Sequence, residues 1–147
     1  MSETIGPAPI DAPVLAVVAC GGGLGAGARY GLALRIPVGP GEFPWATFLA
    51  NLLGCLAIGV LMVLITEVWI PHRLIRPFLG VGVLGGFTTF SSYSGEVRTL
   101  LESGSTGVAL GYLGGTVVIC LGAVAAGISV TRWIARRCGG ATEYGTS

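Results

Sequence analysis

Residues Gly85–Gly95 read GGFTTFSSYSG, inside a longer uncharged run. Two adjacent glycines weaken a helix, and the five hydroxyl residues compete for backbone hydrogen bonds. Three aromatic rings, Phe87, Phe90 and Tyr93, are threaded through the same segment. A plain aliphatic core has no use for such a stretch, so its surroundings decide how it is read.

The chain has 147 residues, enough for one domain; it is 52% hydrophobic and 10% charged, with a net charge of +1. Soluble domains carry about 25% charged residues, so this composition points to a lipid solvent. There is no lysine, and the near-neutral balance gives no reason to expect a nucleic-acid partner. Four runs are uncharged or nearly so: Ala12–Leu34, Phe43–Thr66, Pro77–Gly95 and Ser103–Thr131. A helix needs roughly 20 apolar residues to cross about 30 Å of hydrocarbon. The reading is an all-α, multi-pass membrane protein with four transmembrane helices per subunit. Its channel domain spans 14–132, between an N-terminal tail (1–13) and a C-terminal tail (133–147). The first run is not read as a secretory signal, because Glu3 and Asp11 precede it without a basic residue.

Links fall at Arg35–Gly41, around Val68–Arg76 (with Trp69 and His72) and at Glu96–Glu102. The side shared by the termini and the second link holds Arg73, Arg76, Arg132, Arg136 and Arg137; the other holds Arg29, Arg35 and Arg98. That weak bias favours cytoplasmic termini and is compatible with insertion both ways round. Glycines recur four apart at Gly21/Gly25, Gly23/Gly27/Gly31 and Gly107/Gly111/Gly115, a spacing that lets membrane helices approach closely. Four short spans enclose little by themselves, so oligomerisation is expected.

Polar groups inside the spans need partners. Asn51 offers two donors and an acceptor, either to join helices or to face a ligand. Arg29 either snorkels to the interface or draws anions toward a vestibule. Gly85–Gly86, Thr88, Thr89, Ser91 and Ser92 break the third helix, and unwound carbonyls there are ligands for a hard cation such as sodium. Phe90 and Tyr93 share a face where helix resumes, and ring edges are electropositive. Tyr112, Thr116 and Cys120 form a stripe of donors. The four cysteines show no metal or disulfide spacing, and no catalytic set can be assembled, so no enzyme activity is expected. No carboxylate is expected centrally in a span, which favours passive anion conduction over proton-coupled export.

GGGLGAGARYG (Gly21–Gly31), FLANLLGCLAIG (Phe48–Gly59) and GVLGGFTTFSSYSGE (Gly82–Glu96) together resemble the Fluc fluoride channels, the CrcB family. The resemblance covers roughly 14–132. It implies a fluoride-selective channel in the cell membrane that relieves cytoplasmic fluoride toxicity. The assembly it implies is an antiparallel, dual-topology homodimer; some members instead pair two homologous subunits. It also implies a structural sodium ion at the dimer centre on the backbone carbonyls of Gly85 and Thr88. The fluoride pathway would involve Asn51, Phe90, Tyr93, Ser91, Tyr112 and Thr116, with Arg29 at the vestibule. Tyr93 replaces the usual phenylalanine, and Cys120 stands where a hydroxyl is expected. The readings left beside it are a small dual-topology transporter and a non-conducting membrane scaffold.

Overall fold

The computed structural model describes residues 11–68 and 72–139, and among them every regular element is helical. Helix α1 spans Ala12–Arg35, opening on Pro13 in its first turn, where a missing N–H costs nothing. Helix α2 spans Trp45–Val63 and widens into a π-helical turn at Leu64–Val68. Helix α3 comprises a π-helical part, Pro77–Leu84, and the turn Gly85–Phe87. Helix α4 spans Ser91–Glu102 and α5 Thr106–Gly139. Trp69 and Met1–Ile10 lie outside the described residues.

Among the described residues, three helical segments are long and apolar enough to cross a membrane: Ala12–Arg35, Trp45–Val68 and Thr106–Arg137. The segment expected as the third span comprises two shorter helices, α3 and α4, with the chain non-helical between Phe87 and Ser91. Glu96–Glu102, expected as a link, is the second half of α4. The segment holds neither proline nor glycine, Leu100 and Val97 pack into the core, and Arg98 pairs with Glu102 at 2.7 Å. The link shrinks to Ser103–Ser105, turned by Gly104 at φ +78°, a left-handed position where glycine is the natural residue. At the other end α5 runs beyond Thr131, and the Arg137 guanidinium lies 3.8 Å from the Trp133 ring.

The helices associate as two pairs, α1 with α3 and α2 with α5. Small residues set both seams. Gly21 faces the α3 backbone so closely that a Cβ there would lie 2.6 Å from the Phe78 carbonyl oxygen. Gly59 and Gly127 do the same between α2 and α5, where a Cβ would lie 2.5 Å from Val124 O and 2.6 Å from Leu56 O respectively. Backbones this close gain dispersion contacts that lipid cannot supply. Gly23, Gly27 and Gly31, and the α5 ladder Gly107, Gly111 and Gly115, have nothing within 4 Å of the place a methyl would occupy. The expected ladders therefore divide: Gly21/Gly25 pack within the chain, and the others face outward.

Loops sort to two ends. Arg73 pairs with Asp11 at 3.1 Å and Arg132 with Glu67 at 2.6 Å, bringing the start of α1, the second link and the end of α5 together. At the opposite end Gly41 adjoins Ser105. An aromatic cluster of Phe43, Phe48, Tyr93 and Tyr112 sits toward that end, with Phe43 and Tyr112 edge-to-face at 5.2 Å. Large apolar side chains such as Leu24, Leu34, Val118 and Leu121 point outward, as lipid-facing residues must.

Candidate functional site

Between α3 and α4 the backbone leaves the helix. Thr88 is extended (φ −79°, ψ 159°), and its N–H and hydroxyl both donate to the Leu84 carbonyl at 2.9 Å, closing α3. Thr89 restarts the chain: its Oγ1 accepts from the Ser92 N–H at 3.1 Å, satisfying a donor in the first turn of α4. The Thr89 N–H turns away and donates to Asn51 Oδ1 at 2.8 Å, while Asn51 Nδ2 donates to the Thr89 carbonyl at 3.0 Å. One buried carboxamide on α2 thus replaces the two helical partners that Thr89 gives up.

These bonds have a consequence at two carbonyls. In a continuous helix Gly85 O would accept from Thr89 N–H and Thr88 O from Ser92 N–H. Both donors are taken, by Asn51 and by Thr89 Oγ1. The Gly85 and Thr88 carbonyls are thereby left without their helical donors. Among the described residues no cluster of three or more His, Cys, Asp or Glu side chains could hold a metal.

Beside the interruption lies an open cavity of about 450 Å³. It gathers Asn51, Gly85, Thr88, Phe90, Tyr93 and Thr116 from four helical segments, together with Cys55 and Cys120. Thr89 and the aliphatic Val117, Leu121 and Val124 complete the wall, and among the described residues no carboxylate lines it. Thr116 Oγ1 is buried without a hydrogen-bond partner. A helical threonine ordinarily bonds back to the preceding turn, as Thr131 does to Gly127 O at 2.7 Å. An unpaired buried hydroxyl costs about 1–3 kcal/mol, and Thr116 carries one beside the cavity it helps to line.

The rings divide in exposure. Phe90 is 79% exposed and Tyr93 only 5%, with centroids 5.8 Å apart. The Tyr93 hydroxyl donates to Leu113 O at 2.6 Å. Its polarity is absorbed by α5 rather than presented to the cavity.

Three sequence-predicted residues fall outside the cavity wall. Ser91 is exposed, its Oγ 3.3 Å from Thr89 Oγ1. Arg29 neither snorkels freely nor stands alone; it reaches Gly86 O and Ser92 Oγ, each at 3.4 Å. Tyr112 is fully buried, and its hydroxyl donates to Glu96 Oε2 at 2.7 Å. Thr47 donates to the other oxygen, Glu96 Oε1, also at 2.7 Å. Sequence reasoning missed this carboxylate by assigning Glu96 to a link. Its position one helical turn after Ser92 was the available signal.

The chain matches the family model described as CrcB-like protein, Camphor Resistance (CrcB), over residues 16–128. It is 58% identical over 125 residues to the fluoride-specific ion channel FluC 2 of Nocardia farcinica, covering 85% of this chain and 89% of the relative. It is 53% identical over 127 residues to fluoride-specific ion channel FluC 1 of Streptomyces coelicolor, covering 86% and 80%. It is also 46% identical over 121 residues to FluC of Rhodospirillum centenum, with 81% and 95% covered.

Proposed function

The chain belongs to the CrcB family, and from that premise we propose that it is a fluoride-selective channel that lets fluoride leave the cytoplasm across the cell membrane. The observation that carries the reading is the unpartnered Thr116 hydroxyl in a cavity wall shared with Asn51, Phe90 and Tyr93. Fluoride is small and strongly hydrated, so a path for it must replace water by donors and still release the ion. Thr116 Oγ1 supplies one donor. The second Nδ2–H of Asn51 supplies another, since the first is spent on Thr89. The ring edges of Phe90 and Tyr93 add weak positive potential without a full charge that would trap the anion. Tyr112 serves at one remove, holding the Glu96 carboxylate away from the cavity. Arg29, bonded to the start of α4, adds positive potential beside the interruption. The absence of a carboxylate from the cavity wall favours passive flow over proton-coupled export.

The interruption at Thr88–Phe90 is read as the break of the third span, with α3 and α4 as its halves. The released carbonyls of Gly85 and Thr88 suit a sodium ion, and they are the residues that would hold it. When bound, the cation supplies fixed charge that holds the unwound segments together.

The working unit is taken to be two copies packed antiparallel. Phe90, largely bare in one chain, and the outward glycines Gly23, Gly27 and Gly31 of α1 support this, because each is open to a partner in a single chain. Near balance of arginines between the two ends is compatible with insertion both ways round.

Purified protein in liposomes loaded with fluoride, with valinomycin to carry the balancing potassium, tests the reading. Rapid fluoride release without chloride release is expected. A folded protein that releases neither ion, alone or with a co-expressed homologous subunit, would leave the scaffold reading in its place.

A further inference from the structure

Cys55 and Cys120 both line the cavity. They stand on α2 and α5, which run side by side in a fixed register: Gly59, one turn beyond Cys55, abuts the carbonyl of Val124, one turn beyond Cys120. Backbone contact at that level leaves neither thiol free to drift along its partner helix. Both sulfurs are free thiols, and each is half-buried. One turn before them, on the same faces, come Asn51 and Thr116.

We propose that Cys55 and Cys120 form a two-thiol site in the cavity wall for a soft, two-coordinate cation of the mercuric or cuprous type. Thiolate sulfur selects soft metals. With no third His, Cys, Asp or Glu joining the pair among the described residues, cations that need four ligands or hard oxygen donors are disfavoured. With a mercuric ion the step balances without redox: two S–H bonds break, two S–Hg bonds form, and two protons leave. The bound ion stands one turn from Asn51 and Thr116, in the same open volume, and plugs it. The site itself is independent of the fluoride reading; only the plugging of a flux rests on it.

The test uses the full chain in detergent with Cys20 and Cys138 replaced by serine, leaving the pair as the only thiols. After exposure to mercuric chloride and washing with a monothiol, one mercuric ion per chain is expected to remain, with release of two protons. Cys55→Ser and Cys120→Ser singly are each expected to lose that retention, because a single sulfur competes poorly with excess monothiol. Retention unchanged in either single variant, or none in the parent, overturns the site. In liposomes the same ion is expected to stop fluoride release, and a dithiol to restore it. Since retention is read without any flux, failure of the site and failure of the fluoride reading are separate results.

Discussion

Asn51 grips Thr89 at both ends of its backbone unit, donating to the carbonyl at 3.0 Å and accepting from the N–H at 2.8 Å. The carboxamide therefore has two jobs. It holds a non-helical turn in place, and in the proposed function its second N–H serves the ion.

Asn51→Asp separates these jobs poorly, and the direction is clear. The second carboxylate oxygen would face the Thr89 carbonyl, leaving that acceptor unpaired, at a cost of about 1–3 kcal/mol. Unfolding in detergent is expected at a lower temperature, and fluoride release is expected to be lost. Full stability with full release would show that Asn51 does neither job.

Tyr93→Phe removes a hydroxyl that bonds Leu113 O at 2.6 Å and does not point into the cavity. A stability loss of about 1 kcal/mol is expected. The fluoride-to-chloride ratio should be unchanged, as compared by ion-electrode efflux. A marked fall in that ratio would mean the hydroxyl serves the ion directly.

The two classes of glycine should respond oppositely. At Gly59 a methyl would lie 2.5 Å from Val124 O, and overpacking of that kind costs about 1–3 kcal/mol. At Gly111 a methyl meets nothing within 4 Å, and alanine favours helix by up to about 1 kcal/mol. Thermal unfolding of Gly59→Ala and Gly111→Ala should bracket the parent. Loss of stability in Gly111→Ala comparable to Gly59→Ala would place a tight contact on that face.

Glu96 accepts from Thr47 and Tyr112, both at 2.7 Å. Glu96→Gln turns one acceptor into a donor, so one hydroxyl loses its partner. Destabilisation of about 1–3 kcal/mol is expected, and Glu96→Gln with Tyr112→Phe should recover part of it, since the double change removes the stranded donor. A double-mutant cycle with no coupling would show that the bond contributes nothing.

Much of this arrangement was legible from residue types. Hydropathy marked the spans because lipid tolerates little else. Gly85 and Gly86, expected to break the helix, stay helical, Gly86 lying close against the Gly22 backbone, and the interruption falls at Thr88–Phe90. Asn51, Phe90, Tyr93 and Thr116 do meet at one cavity. Glu96 was misread because a charge ordinarily ends a span; two converging hydroxyls from α2 and α5 let it sit within a helix instead. The partner of Arg29 was equally hidden, since a bond across 57 residues leaves no mark in local spacing. Which glycines face inward was also unreadable, because identical ladders carry no record of their orientation.

The most direct test of the cavity as the ion path is Thr116→Val, read by fluoride efflux beside thermal unfolding. Thr116 Oγ1 has no partner within the described chain, so removing it should leave stability equal or raised by on the order of 1 kcal/mol. A lost hydrogen bond to an anion is about 1.5–3 kcal/mol, roughly tenfold to a hundredfold in occupancy, and fluoride release is expected to fall on that scale. Release at the parent rate from an equally stable protein would contradict the assignment of this cavity to the fluoride path.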